Sequence, residues 1–577
     1  MSAVENKETK RKPIPEHLIP FTTEQKWESY SAIDHATWRF IMTLARDFFK
    51  VHAHEKYLDG LRETGISVDR IPKVSEMDEK LQQFGWRAVG VSGFIPPAAF
   101  LEFQSRSILP IACEIRKVEN IAYTPVPDIV HEAAGHAPII ADPDYSDYLN
   151  SYGQIAEKAI VSKKDIDLYN AIRHLSDIKE KPTSTDEEID SAQKAFEKAY
   201  ADLDYVSEAT DLARMSWWTI EYGLVGDLND FKIYGAGLLS SLGESFDCLK
   251  DHVNKVPFTV DCVKQAYDIT RPQPQLFVGR DFPSMKRVLQ EYSEQMAFKQ
   301  GGITGLAKAK LASTMTTTVF ENGLQISGQV KNFSYDEFGK ITFIQFTGPM
   351  QFSNNDQELV DWTSKNLPKE FITPLGPWKS FQNESELTDK VDQEITFEYS
   401  SGLKAKGKLK SYQAIEGRVL FVELINCQFS LPGQEHVTQD TSYIVNASQV
   451  TSVYGGAADR VAFQKFTGES DYVSNPHIGN LAEEQKESNA LYQKLRDLRD
   501  DDHTDREIWL QFFNESQVET SHWLLKWELL EALQQLPDTD KEQNLLKAQI
   551  KEIQEKNPDK SRLIQRGLDY LDKIVSK

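Results

Sequence analysis

The chain has 577 residues, 40% hydrophobic and 11% aromatic, which excludes a disordered or fibrous protein; at roughly 100–200 residues per domain it predicts two to four domains. A formal net charge of -23 repels nucleic acid and anionic membrane, so neither is expected as a partner. Cys113, Cys248, Cys262 and Cys427 form no CxxC pair, which excludes a disulfide framework or a cysteine-based zinc site and fits a cytoplasmic protein.

In chain order, residues 1–15 predict a disordered arm, polar and basic, without the apolar core of a secretory signal. From Thr23 to about Gly65 the pattern is helical: Trp38, Ile41, Leu44 and Phe48 recur at three- and four-residue spacing, with Asp34 as the expected N-cap. Pro96-Pro97 opens another helix through about Ser107, and Pro127-Asp128 opens the next. A polar stretch over 163–204 predicts one or two solvated helices inserted into a core, after which Ala209–Val225 predicts a strongly buried helix. Short alternating runs then dominate from about Thr316 to Gly456, among them Ile341–Phe346 and Val419–Leu424, separated by turn signals such as Asn322-Gly323. From about Glu483 the helical pattern returns, with Trp509, Phe512, Phe513, Trp523, Leu524 and Leu525 supplying apolar faces. The expected organisation is multidomain: a mainly α domain over 16–312, a small all-β domain (barrel or sandwich) over 313–460, and a C-terminal helical region over 480–577. No run of about 18 apolar residues occurs, so no membrane span is expected.

The sharpest local signal is His131-Glu-Ala-Ala-Gly-His136. On an ideal α-helix a spacing of five sets the two side chains ~140° apart, too far to share a metal. Gly135 is the expected remedy: glycine tolerates a left-handed conformation and ends helices, so a helix that ends or distorts there lets His136 swing back to share a metal with His131. Two imidazoles and one carboxylate on one side of an octahedron are the signature of non-haem Fe(II) oxygenases. Glu221, inside the aromatic run Trp217-Trp-Thr-Ile-Glu-Tyr-Gly223, is the candidate carboxylate, because metal ligation is one of the few compensations for burying an unpaired charge. Taken singly, either histidine reads more simply as a capped or core residue, and Glu221 as exposed or paired with arginine. The metal reading rests on the combination.

Three ordered blocks carry a resemblance: Tyr123–Glu132 with Gly135–Pro138 and Ala141–Pro143, then Trp217–Leu224, then Tyr234–Glu244. The chain resembles the pterin-dependent aromatic amino acid hydroxylases over residues 20–300, about half its length. The resemblance implies a catalytic domain of that type that uses Fe(II), a tetrahydropterin and O₂ to hydroxylate a free aromatic amino acid. Phenylalanine is the expected substrate, with tryptophan or tyrosine as alternatives. It implies His131, His136 and Glu221 as iron ligands and Arg116 as the partner of the substrate carboxylate, a role suited to a planar guanidinium. It further implies Phe100 stacked on the pterin ring, Gly93 and Ile95 in the pterin-binding loop, and Glu132 beside the pterin as a catalytic group. Thr124, Pro127, Trp217, Gly237 and Ser240 are implied as walls and polar contacts of the amino acid pocket.

Two departures stand out. Ser216 occupies the place where relatives commonly carry tyrosine, and the half beyond residue 312 has no counterpart in the animal enzymes. Other readings are a metal hydrolase with Glu132 as general base, a binding protein that has lost catalysis, and a C-terminal half that tethers a partner or forms a homo-oligomer.

Overall fold

The computed structural model describes residues 13–93, 95–121, 128–180, 184–268, 271–359, 369–379, 381–430, 437–467, 485–501 and 503–575. The first long helix, Ala32–His52, starts one turn earlier than expected. Ser31, not Asp34, is its N-cap: Ser31 Oγ accepts from the Asp34 amide, and the Asp34 carboxylate accepts from the Ser31 amide. Asp34 therefore stands at the third helical position of a capping box, where its charge also suits the helix N-terminus. The expected helix over 23–65 is divided, with a second piece at Tyr57–Glu63. Pro97–Ser105 forms a helix with proline in its first turn, as the Pro96-Pro97 pair predicts.

Residues Lys163–Glu180 and Asp186–Ala201 are two helices packed on each other, the second opened by a Thr185–Glu188 capping box and mostly exposed. The expected buried helix over 209–225 is corrected: an α-helix, Glu208–Ser216, passes into a π-helical turn, Trp217–Glu221, and then into a strand, Leu224–Asp227. Gly223 permits that exit, since a Cβ there would lie 2.1 Å from Thr219 O and 2.3 Å from the Tyr234 hydroxyl. The helical half also contains sheet: a parallel pair, Arg87–Val91 with Ile108–Ala112, and a four-stranded mixed sheet that includes Leu224–Asp227 and Gln275–Gly279.

Beyond residue 312 lie two antiparallel sheets. One runs through Thr316–Phe320, Leu324–Tyr335 and Ile341–Asn354; the other through Glu394–Glu398, Lys404–Ile415, Arg418–Ser430 and Val437–Val445. They share an aromatic core in which Phe352 meets Phe421 at 4.8 Å and Tyr443 at 5.0 Å. Arg460, just after the last strand, reaches back to the helical half: its Nη1 donates to Glu102 Oε2 (2.6 Å) and its Nη2 to Glu157 O (2.9 Å).

The C-terminal helices, Gln485–Asp500 through Pro558–Val575, do not form a separate core. Their buried side chains are continuous with those of the first helix. Phe40 lies edge-on to Trp523 (4.9 Å) and Trp527 (4.8 Å), and Arg39 Nη1 donates to Glu531 (2.6 Å). This explains why the first helix is buried nearly all round from Ala32 to Ala45, while Arg46, Lys50 and Val51 remain exposed. Among the described residues no helix is long and apolar enough to cross a membrane.

Candidate metal centre and surrounding pocket

The parallel pair Arg87–Val91 and Ile108–Ala112 delivers two loops to the same end of the ribbon, because parallel strands finish side by side. One loop carries Ser92 and Gly93; the other carries Glu114 and Arg116. Glu114 ties them together by accepting from Ser92 Oγ (2.6 Å) and the Gly93 amide (3.2 Å). Gly93 has φ +57°, a left-handed value that favours glycine. The Glu114 carbonyl accepts from the Ile129 amide (2.8 Å), which joins these loops to the next turn.

That turn, Val130–His136, is π-helical, so His131 and His136 stand one turn apart on one face. Their rings lie 5.0 Å apart. The helix is distorted at Gly135 as expected, but not through a left-handed glycine. Gly135 has no positive φ, and its role is close approach: a Cβ would fall 2.7 Å from Ala236 O and 2.9 Å from Ala236 Cβ. The short helix Ala236–Leu239 therefore lies directly on the turn. Glu221 ends the second π-turn, closed by the Tyr222 amide donating to Trp217 O (2.9 Å).

Glu221 Oε2 lies 3.1 Å from His131 Nε2, and Oε1 lies 3.3 Å from His136 Nε2. One donor atom from each residue falls within 4.8 Å of the others. Both ring nitrogens of buried His136 lack a hydrogen-bond partner, so its proximity to Glu221 is not a formed hydrogen bond. Burial opposes ionisation of Glu221, but His136 and His131 outweigh it and hold the carboxyl far below the usual range. A carboxylate facing two imidazole nitrogens at 3.1 and 3.3 Å is the donor set of a divalent metal.

Ser240 fixes one of these donors. Its hydroxyl donates to Ala236 O (2.8 Å), so at 3.1 Å from His131 Nδ1 it acts as acceptor. His131 is then protonated at Nδ1 and presents the Nε2 lone pair to the centre. Arg116 lies in the same shell. Its Nε and Nη2 grip the two Asp128 oxygens at 2.8 Å each, and Nη1 donates to Ser240 O at 3.2 Å. Both side chains are buried, and Asp128 also accepts from the His131 amide (3.1 Å). Burial opposes the Asp128 charge, and the Arg116 guanidinium outweighs it.

Glu132 is buried, with Oε2 3.8 Å from His136 Nε2 and without a hydrogen-bond partner. Burial first, then the Glu221 and Asp128 charges, push its pKa up to about 8 against the pull of His136. Gly237 is closely packed: a Cβ would meet the Tyr222 ring at 2.8 Å and Glu221 O at 3.0 Å. Ile95 and half-buried Phe100 belong to a separate small core with Val91 and Phe103. Thr124 and Pro127 lie outside the described residues.

Trp217 is the middle ring of a stack, 4.6 Å from Tyr222 and 4.3 Å from Tyr267, the latter nearly parallel at 8°. Tyr222 was within reach of sequence reasoning, since it adjoins Glu221; Tyr267 gave no signal, lying in an unpatterned loop. Also unforeseen were buried tyrosines on the helix Pro143–Ala156. The Tyr148 hydroxyl donates to Thr219 Oγ1 (2.9 Å) and that of Tyr152 to Leu212 O (2.7 Å), behind the segment that carries Glu221.

A sequence profile described as biopterin-dependent aromatic amino acid hydroxylase matches residues 7–170 and 190–302. The chain is 28% identical over 274 residues to a phenylalanine-4-hydroxylase of Chromobacterium violaceum, covering 44% of this chain and 77% of that protein. A phenylalanine-4-hydroxylase of Pseudomonas aeruginosa is 29% identical over 269 residues, covering 46% and 84%. The crystal structure of the Chromobacterium violaceum protein with iron(III) and 7,8-dihydrobiopterin gives a TM-score of 0.38 at 27% identity, covering 48% of this chain and 85% of that one.

Proposed function

We propose that the chain, whose residues 7–170 and 190–302 match the biopterin-dependent aromatic amino acid hydroxylases, converts free phenylalanine to tyrosine with O₂ and a tetrahydropterin at one iron held by His131, His136 and Glu221. The observation that carries this reading is the convergence of those three side chains, their donor atoms within 4.8 Å of one another. Two imidazoles and a carboxylate suit ferrous iron with positions left for other ligands. When bound, iron and pterin supply the electrons that activate O₂.

The chain's own residues do the rest. Ser240 holds His131 in the tautomer that offers Nε2. Arg116, held by Asp128, directs a second N–H on each terminal nitrogen to the substrate carboxylate, which fixes the charged end of the amino acid away from the metal. The Tyr222–Trp217–Tyr267 stack is a rigid apolar wall for the substrate ring and excludes water from it. On the cofactor side, Phe100, Gly93 and Ile95 would hold the pterin, with buried Glu132 beside it. Four free, buried cysteines fit a cytoplasmic enzyme.

The test is a competition assay with phenylalanine, tyrosine and tryptophan, Fe(II) and tetrahydrobiopterin. The expected result is tyrosine from phenylalanine, with O₂ and pterin consumed in step. Absence of pterin-dependent O₂ uptake from iron-loaded protein would refute the reading.

A further inference from the structure

The segment from Gly235 to Asp247 has an unusual position. Ala236 lies on Gly135 of the histidine turn, and Gly235 and Gly237 lie against Glu221 O of the other turn. Ser240 then holds His131 through its hydroxyl and Arg116 through its carbonyl. A second short helix, Leu242–Asp247, follows at once, and its Glu244 accepts from the hydroxyl of Tyr222 (3.1 Å), which stacks on Trp217. One short piece of chain thus touches both ligand-bearing turns, the arginine and the aromatic wall.

Two helices of four and six residues are too short to hold their own conformation in water. The outer side of the second is held by the far end of the chain. Arg566 Nη1 donates to Leu242 O (2.5 Å), and the Arg566 guanidinium carbon lies 3.6 Å from the Phe246 ring centroid. Phe246 is stacked on its other side against Phe48 of the first helix at 3.9 Å. Arg562 donates to both oxygens of Asp247, at 2.7 and 3.1 Å. Both arginines sit on the helix Pro558–Val575, which is anchored in turn: Lys573 pairs with Asp47, and Gly567 O accepts from Trp527 Nε1 (2.8 Å).

We propose that the C-terminal helix Pro558–Val575 is an internal brace for the substrate side of the pocket, with Arg562 and Arg566 as positioning residues that keep 235–247 in register with the two ligand turns. A cation over an aromatic face and a charged donor on a helix carbonyl hold an otherwise weak element at two points. The brace acts on the amino acid side, because Arg116, Ser240 and the Trp217 stack all contact this segment or its neighbours. Its effect on substrate rests on the functional reading above; its effect on the segment does not.

The test uses the full chain and three variants: Arg566→Ala, Arg566→Lys and Arg562→Gln. Hydrogen exchange is followed at 236–247 and, as reference, at 316–335. KM for phenylalanine, KM for tetrahydrobiopterin and bound iron are measured alongside. Arg566→Ala is expected to speed exchange at 236–247 and to raise the phenylalanine KM, each about 10-fold, and to weaken iron binding through the loosened Ser240–His131 contact, with the reference strands and pterin KM within about twofold of the parent; that KM ratio corresponds to about 1.4 kcal/mol. Arg566→Lys, which keeps a cation over Phe246, recovers part of both effects. Should Arg566→Ala speed exchange everywhere, Arg562→Gln decides, because it removes only a half-exposed pair with Asp247. Unchanged exchange at 236–247 in a folded variant overturns the brace. So does a rise in the pterin KM equal to that in the phenylalanine KM, which would mark general destabilisation. If the parent protein binds iron yet leaves phenylalanine unchanged, the functional reading fails while exchange at 236–247 still judges the brace.

Discussion

Ser240→Ala isolates the support of a single candidate ligand. The substitution removes the acceptor 3.1 Å from His131 Nδ1 and the donor 2.8 Å from Ala236 O, with little change in volume. The second contact is local and worth about 0.5–1.5 kcal/mol of stability, as for any ordinary buried hydrogen bond. The first decides which nitrogen of His131 carries the proton. Without it the imidazole samples the other tautomer and other ring orientations, and its Nε2 lone pair is available to the metal for only part of the time. Loss of such an outer partner weakens metal binding about 10- to 100-fold, or roughly 1.4–2.7 kcal/mol. The assay is competition for Fe(II), or for Co(II) as an air-stable probe, against a chelator, with Tm recorded in parallel. Thr37→Val is the control: it deletes a buried hydroxyl that donates to Ile33 O (2.9 Å) on the first helix, far in sequence from the site. Ser240→Ala should weaken metal binding while Thr37→Val leaves it unchanged, even if both lower Tm alike. Metal affinity in Ser240→Ala equal to that of the control would refute the assignment of Ser240 as the tautomer-setting partner.

Arg116→Lys keeps the charge but loses the fork on Asp128, so urea stability should fall by about 1.5–3 kcal/mol and the phenylalanine KM should rise. Since Asp128 also holds the His131 amide, weaker iron binding is expected as well; parental stability and KM would remove Arg116 from the site. Gly135→Ala places a methyl 2.7 Å from Ala236 O, where backbone must move, and should cost about 1–3 kcal/mol together with most of the bound iron. A folded, fully iron-loaded Gly135→Ala protein would contradict the close packing described. His35 is buried, accepts from the Ile71 amide (3.2 Å), and is pushed by burial, then by Arg496 and Arg70, down to about 3. The unfolded chain protonates this histidine below about pH 6.5 while the folded one does not, so stability is full above that pH and falls by about 1.4 kcal/mol per unit toward pH 3. His35→Gln should flatten the denaturation-midpoint profile between pH 6 and 4; an unaltered slope would refute the assignment.

The identity of the candidate ligands was legible in the sequence because the chemistry is written in contiguous words: His131 to His136 in one run, Glu221 in another. The alternating strands beyond residue 316 and the proline-opened helix at Pro97 were legible for a similar reason, since a two-residue period and a fixed φ are local properties. What local pattern could not supply was the backbone geometry that makes the ligands converge. A spacing of five is wrong for an α-helix and right for a π-turn, and nothing between His131 and His136 selects the π-turn by itself. In the folded chain the turn packs against Ala236, about 100 residues away, at a contact open only because residue 135 has no side chain. The same limit hid Tyr267, which enters the aromatic stack from a loop without pattern. It also hid the destination of the C-terminal helices. Their apolar faces predicted burial, but the ring packed against Trp523 and Trp527 is that of Phe40, the ring under Arg566 is that of Phe246, and the charges that pair with Arg562 and Lys573 are Asp247 and Asp47. Sequence periodicity records that a face must be covered; which surface covers it is settled only when distant segments compete for the same apolar area in three dimensions.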